Sequence, residues 1–324
     1  DAAAKTGVNM IQLWNWDANP TNLAKISSLG IRAIYEDQFW GEIVHNSARD
    51  PEYYNFETNK AVHARLGELR DDPSRAIAMW YTADEPWVGA VPHIKRLRDM
   101  WHNLDEDRPT YIVSTGDPRI ADAADVLGVD IYPVYHGNRT PLTTVGDAMA
   151  NACAYVGGRK PVIAVLQSFG DNPRHREKPE EVRAMSYLAV VNGVRGIFWY
   201  CWKETGDQTG FEGAGHHPET IRTITEVVSE VKELAPALLE PGARTMKSAD
   251  GRIHAILCGS ETTGRYLVYV NGEYEPAEST LAVPELDGMK LEPLFGGSAA
   301  AVKKGELTLK LAPLATGVFR IVGK

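Results

Sequence analysis

Cysteine is scarce: Cys153, Cys201 and Cys258 are the only three in 324 residues. An odd number without a CxxC pair signals neither a disulfide framework nor a thiolate metal site, and it leaves the compartment open. No apolar run approaches the roughly 20 residues that crossing a bilayer requires. The first residues also lack the basic stretch and hydrophobic stretch of a signal peptide, so no membrane partner is expected. Positive charge is in deficit, with 34 Lys and Arg against 43 Asp and Glu. Nucleic acid is therefore not expected as a partner, because binding to it draws on clustered cations. GxGxxG, GxxxxGK[ST] and GxSxG patterns are missing, which removes support for nucleotide binding and serine esterase chemistry. The adjacent His216 and His217 lack a helical i, i+4 partner and are expected to be solvated, so no metal site is expected. There is no internal repeat, low-complexity tract or long flexible linker.

What is present is hydrophobic content of 44%, enough for one large core and a smaller one. Short runs of β-branched and aromatic residues alternate with longer segments of helical period, the pattern of parallel β/α units. Strands are expected at Val8–Leu13, Ile31–Tyr35, Ala76–Tyr81, Thr110–Ser114, Val126–Tyr132, Val162–Leu166 and Gly196–Tyr200. Helices are expected at Asn22–Leu29, Lys60–Arg70, His93–Leu104, Val145–Val156, Pro179–Asn192 and Pro218–Leu239. Pro179-Glu180-Glu181 suits a helix start, with proline in the first turn and acids facing the positive end of the dipole. Gly30 and Gly193 suit helix stops that need a positive φ.

The residues Asp1 to Gly7 read as the end of a helix, so the seven strands are taken as the second to the eighth of a (β/α)8 barrel whose first strand lies upstream. An open doubly wound sheet is the alternative. After Pro241-Gly242 the character changes to short alternating runs, Ile253–Leu257, Tyr266–Val270, Ser279–Val283, Glu306–Leu311 and Val318–Val322. These suggest an antiparallel β-sandwich. The domains are thus 1–241, a catalytic barrel, and 242–324, an accessory sandwich.

In such a barrel the reactive groups sit at the C-terminal ends of the strands. Here those ends are rich in acids and aromatics: Trp14 to Asp17, Glu36 to Trp40, Trp80 to Trp87, Asp130 to Tyr135, Gln167 to Phe169, and Trp199 to Glu204. Aromatic faces pack on the C–H faces of sugar rings while carboxylates and amides hold hydroxyls, so the mixture fits a carbohydrate. Asp84-Glu85 also admits a plainer role, as acids before the first turn of a helix.

The run Trp80 to Trp87, with Asp84-Glu85-Pro86, resembles the fourth-strand acid/base segment of clan A glycoside hydrolases, in which the Glu protonates the leaving oxygen. Lys160 to Gly170 is similar to their seventh-strand segment, and Trp202 resembles the aromatic on their eighth. The resemblance implies Glu85 as general acid/base, but Gln167 stands where that clan keeps a nucleophilic Glu, and an amide does not attack an anomeric carbon.

The expectation is a glycoside hydrolase without a cofactor, acting on an oligo- or polysaccharide, and a secreted or periplasmic location goes with it. Glu85 is the general acid, its pKa raised by Trp80, Tyr81 and Trp87. The second carboxylate is Glu204, Asp37 or Asp130. Substrate contacts are assigned to Trp14, Trp16, Asp37, Trp40, Tyr81, Trp87, Asp130, Tyr132, Gln167 and Trp202. Two alternatives stay open. In substrate-assisted hydrolysis, as in chitinase-like and hexosaminidase-like barrels, Glu85 donates the proton, Asp84 orients an acetamido group and Tyr132 or Tyr200 assists. In the other, the barrel binds sugar without turnover. An absent first strand would expose two sheet edges and favour a homodimer. The sequon Asn138-Arg139-Thr140 carries little weight.

Overall fold

A computed structural model of the chain describes residues 1–14, 16–36, 64–135, 138–170, 178–202, 212–295 and 300–323. After a short helix at Ala2–Lys5 come β1 (Met10–Trp14), α1 (Pro20–Ser28), β2 (Arg32–Glu36), a helical stretch at 64–70 and β3 (Ile77–Ala83). These are followed by α2 (Val91–Leu104), β4 (Thr110–Ser114), β5 (Val126–Ile131), α3 (Thr143–Val156), β6 (Val162–Gln167), α4 (Pro179–Val191), β7 (Gly196–Tyr200) and α5 (Pro218–Leu238). The seven strands follow one another in chain order in one sheet. This is the parallel β/α arrangement of a TIM-type barrel.

The helix boundaries have local causes. Asn19 caps α1 by accepting the Asn22 amide at 3.0 Å, and Gly30 closes the segment at φ 71, which only glycine adopts without cost. Pro179 opens α4, where the Glu181 carboxylate reaches back to accept the Lys178 amide at 2.6 Å. This is a capping arrangement that satisfies an otherwise orphaned donor.

The chain divides into two compact units, residues 1–129 with 155–161, and residues 130–154 with 162–324. In the first, the period-2 alternation of the strands sorts side chains onto two faces. Leu13, Tyr35 and Trp80 are buried on one face, where the Trp80 ring stacks on Trp101 of α2 at 4.7 Å. Trp80 Nε1 donates to Asp105 Oδ2 at 2.9 Å, and Arg108 pairs with the same carboxylate at 2.6 Å. The other face carries Gln12, Trp14, Glu36, Tyr81 and Tyr111, in register across four strands: Trp14 beside Glu36, Glu36 beside Tyr81, and Tyr81 beside Tyr111.

In the second unit, α5 leads into antiparallel strands β8 (Arg244–Lys247), β9 (Ile253–Ser260), β10 (Gly264–Asn271), β11 (Ala277–Ala282), β12 (Lys290–Pro293), β13 (Ala300–Ala301), β14 (Glu306–Leu311) and β15 (Thr316–Val322). A six-stranded sheet, β8-β9-β10-β15-β12-β13, and the pair β11-β14 share one core. Ile253, Leu267 and Phe319 come from the larger sheet and Leu281, Leu307 and Leu309 from the smaller. Arg183 of α4 ties this region together, donating to Thr316 Oγ1 at 2.8 Å and to both oxygens of Glu230 on α5.

Candidate active site

The C-terminal ends of β1, β2 and β3 bring a set of polar side chains together in the first unit. The pairing of β3 with β4 is irregular between Tyr81 and Ala83, and a break in register of this kind re-aims the residues that follow. Two residues later Glu85 has φ 41, a left-handed conformation that costs a non-glycine residue about 1–3 kcal/mol and is concentrated at functional positions. Its amide donates to the Val113 carbonyl at 3.1 Å, which pins the turn to β4, and Glu85 itself is exposed. The α2 helix begins only at Val91, after a 3-10 turn at Val88–Ala90, and no side chain caps it. Asp84 and Glu85 therefore do not serve as acids of a helix start.

The Tyr81 hydroxyl donates to Asp84 Oδ1, and the Tyr81 ring lies 5.0 Å from that of Tyr111. Gly128 leaves the space that the Tyr111 hydroxyl occupies, since a Cβ there would come within 2.3 Å of it. Burial raises the Asp84 carboxyl, the Tyr81 hydroxyl opposes that shift, and the charge of Glu85 reinforces it. Asp84 as a residue is nevertheless exposed, so solvent tempers the effect. Tyr81 is pushed well up, first by burial and then by Asp84, Tyr111 and Glu36.

Sequence reasoning missed the carboxyl most strongly perturbed here. Glu36, the last residue of β2, is half-buried and accepts a hydrogen bond on Oε2 from the Gln12 amide. Burial, then the charge of Asp84, raises it to about 7, against a lowering by Gln12. The available signal was position: Glu36 ends a strand, and Gln12 lies two residues before Trp14 on the inward face of the neighbouring one. The expected apolar surround of Glu85 is built differently. Trp80 lies on the opposite face of β3, as alternation with Tyr81 requires, and Trp87 is 61% exposed with its ring folded over Gly89.

Aromatic surface accompanies the carboxyls. Trp14 and Trp16 stack with ring centroids 5.3 Å apart and planes 1° from parallel, and Trp16 is 58% exposed.

In the second unit Gln167 is fully buried. Its Nε2 donates to the Val134 carbonyl at 2.6 Å and to the Phe169 carbonyl at 3.2 Å, while its Oε1 accepts the Val134 amide at 3.1 Å. The side chain thus braces the backbone of Val134 and Phe169 from within the core. Tyr132, Phe169 and Tyr200 cluster nearby with centroids 5.1–6.1 Å apart. Asp130 is buried and Trp202 half-buried. His217 is not solvated as expected: it is buried, with Nε2 3.5 Å from Glu212 Oε2, because its carbonyl accepts the Ile221 amide at the start of α5. His216 is exposed. Asp37, Trp40 and Glu204 lie outside the described residues. The sequon Asn138 falls on a two-residue strand paired with Val134–Tyr135.

Neither protein-family models nor curated proteins match the sequence. Solved structures do match it in fold. An α-amylase from Anoxybacillus superposes with a TM-score of 0.63 at 11% identity, over 100% of this chain and 89% of that one. A GH27 β-L-arabinopyranosidase from Geobacillus stearothermophilus, in complex with arabinose, gives 0.58 at 13% identity, over 94% and 78%. An endo-β-1,4-mannanase from Thermotoga petrophila gives 0.52 at 10% identity, over 96% and 86%. The chain has the TIM-barrel fold found in these glycosidases.

Proposed function

We propose that the protein is a glycoside hydrolase that cleaves O-glycosidic bonds of an oligo- or polysaccharide, with Glu85 as a general acid/base. The observation that carries this reading is the carboxyl group of side chains at the ends of β2 and β3. Glu36, Asp84 and Glu85 meet there beside an exposed indole stack, on a barrel of the kind glycosidases use. Carboxyls with differing protonation are what acid/base cleavage of an acetal requires. Residues 1 to 241 carry the catalysis in this reading and 242 to 324 form the accessory part. The fold by itself leaves the chemistry open, so the argument stands on the strand-end residues.

The test is turnover of a panel of aryl glycosides and plain polysaccharides by the wild type and Glu85→Gln. A general acid/base contributes about 10²–10⁴-fold, so turnover is expected to fall by at least a hundredfold in the variant. Sugar binding without turnover in either form would support the second reading, a carbohydrate-binding barrel. The observation in favour of that reading is Gln167, an amide engaged with backbone where a nucleophile would stand.

The indole stack gives a separate expectation. Trp16→Ala removes an exposed ring and its stack on Trp14, so stability falls by no more than about 1 kcal/mol. Oligosaccharide affinity, measured by calorimetry, drops about three- to tenfold, the equivalent of ~0.5–1.5 kcal/mol for an aromatic contact. An unchanged affinity would remove the stack from the binding surface.

A further inference from the structure

We propose that Glu36 is the proton donor of the reaction, a second catalytic carboxyl working with the Asp84-Glu85 segment. This deepens the glycosidase reading above and rests on it, dividing the acid/base role so that Glu36 takes the acid half and Glu85 the base half.

Glu36 closes β2 on the inward face, in register with Trp14 on one side and Tyr81 on the other. Among the described residues, the titratable and polar groups that face it are Gln12 from β1, Tyr81 and Asp84 from β3, and Tyr111 through Tyr81 from β4. None of these is a cation. Gln12 donates to Oε2, which occupies that oxygen as an acceptor and leaves Oε1 to carry a proton. Asp84 instead accepts the Tyr81 hydroxyl, a bond that favours its ionised form. Gln12 lowers Glu36 as Tyr81 lowers Asp84, so burial decides between them: Glu36 is half-buried and Asp84 exposed, which assigns the proton to Glu36 and the charge to Asp84. The titration of Glu36 near 7 agrees with that division, and a value near the working pH suits a general acid.

An observation outside the carboxyls points to a ligand at the same place. Trp14, the register neighbour of Glu36, is half of the indole stack whose outer ring is open to solvent. A sugar ring lying on that stack brings its glycosidic oxygen to the row of Glu36. The Glu36 Oε1 proton then passes to that oxygen as the bond from it to the anomeric carbon breaks, and the electron pair stays on the oxygen. Water adds to the anomeric carbon and gives its proton to Glu85, the base half of the acid/base role. Solvent returns a proton from Glu85 to Glu36. One water is consumed, one bond is cleaved, and no cofactor enters.

The experiment is kcat/KM against pH for the wild type, Glu36→Gln and Gln12→Leu. The probes are a methyl glycoside, whose leaving group needs a proton, and a 2,4-dinitrophenyl glycoside of the same sugar, whose leaving group does not. The sugar is the one the wild type turns over best. Wild-type activity on the methyl glycoside is expected to decline as pH rises through about 7. Glu36→Gln should lose about 10²–10⁴-fold on the methyl glycoside, less than tenfold on the dinitrophenyl one, and the decline near 7 altogether. Gln12→Leu removes a bond that lowers Glu36, so its decline should move to higher pH, a readout that a merely structural role leaves in place. Equal losses on both probes, or a decline that stays put in Gln12→Leu, would overturn the role of Glu36 while leaving the glycosidase reading intact. If Glu36→Gln does not fold, the Gln12→Leu profile decides alone. A wild type inactive on every glycoside would overturn both.

Discussion

Gln167→Glu, which places a carboxylate where the clan that the sequence resembles keeps its nucleophile, should lower stability by about 2–6 kcal/mol. It should not raise turnover. Gln167 is buried with no exposed surface, and its amide nitrogen serves the Val134 and Phe169 carbonyls while its oxygen serves the Val134 amide. An ionised carboxylate keeps the last of these bonds and turns the first two into contacts between like partial charges. Each of the two carbonyls that loses this bond inside the core costs ~1–3 kcal/mol, which sets the range. Protonation recovers one donor, so the introduced carboxyl is driven to a pKa above its unfolded value of about 4.3. The sign follows from linkage: a group with a raised folded pKa stabilises fully below its unfolded pKa and loses that contribution as pH rises. The deficit against the wild type, read from urea midpoints, is therefore expected to be smaller at pH 4.5 than at pH 7. A variant as stable as the wild type at pH 7, or more active than it, would show that the position is an open site and not a backbone brace.

Much of the fold was legible because parallel strands buried on both faces write themselves as continuous apolar runs. Thr110–Ser114 and Gly196–Tyr200 were read to the residue, and the other barrel strands to within about two residues at each end. The glycines at 30 and 193 do adopt positive φ, at 71° and 92°. In the antiparallel part after α5, the strands that escaped notice among the described residues are β8, β12 and β13. Arg244–Lys247 is an edge strand with mostly exposed residues, Lys290–Pro293 ends in a proline, and Ala300–Ala301 is two residues long. With only one core side chain apiece, such as Leu291, they leave no hydrophobic alternation to read.

The site was less legible, for a reason of geometry. Strand ends are visible in a sequence, but which of two adjacent residues faces inward depends on a register that one strand does not reveal. Trp80 and Tyr81 look equivalent in the sequence, yet one stacks on Trp101 against α2 and the other bonds Asp84. Glu36 stood next to Asp37 in an acidic strand end. What distinguishes it is Gln12, 24 residues earlier, and Asp84, brought alongside by the pairing of β2 with β3. No local pattern encodes either neighbour.

Acid is expected to weaken the protein through His254. This imidazole is buried in β9, and the Asn192 side-chain amide, whose nitrogen also donates to the Leu188 carbonyl at 2.7 Å, approaches its Nδ1 at 2.9 Å. Because that nitrogen is fixed as a donor by Leu188, Nδ1 must be the acceptor, and a proton there would set two donors against each other. There is no slack, since a Cβ on Gly146 of α3 would come within 2.7 Å of Nδ1. Burial, helped by Lys247 and opposed mainly by Asp147, lowers His254 from 6.5 to about 4. The unfolded chain therefore binds a proton that the folded one refuses, so the stability contributed by the neutral ring is full above 6.5 and is lost as pH falls toward 4. Between pH 7 and pH 5 the loss amounts to about 2 kcal/mol. Other groups titrate in the same window, so the measurement is the difference in unfolding free energy between the wild type and His254→Leu at the two pH values. It should shrink by about that amount on acidification. A difference that stays constant would mean that the imidazole is already protonated at neutral pH, or that the packing of β9 on α3 and α4 admits water that takes up the charge.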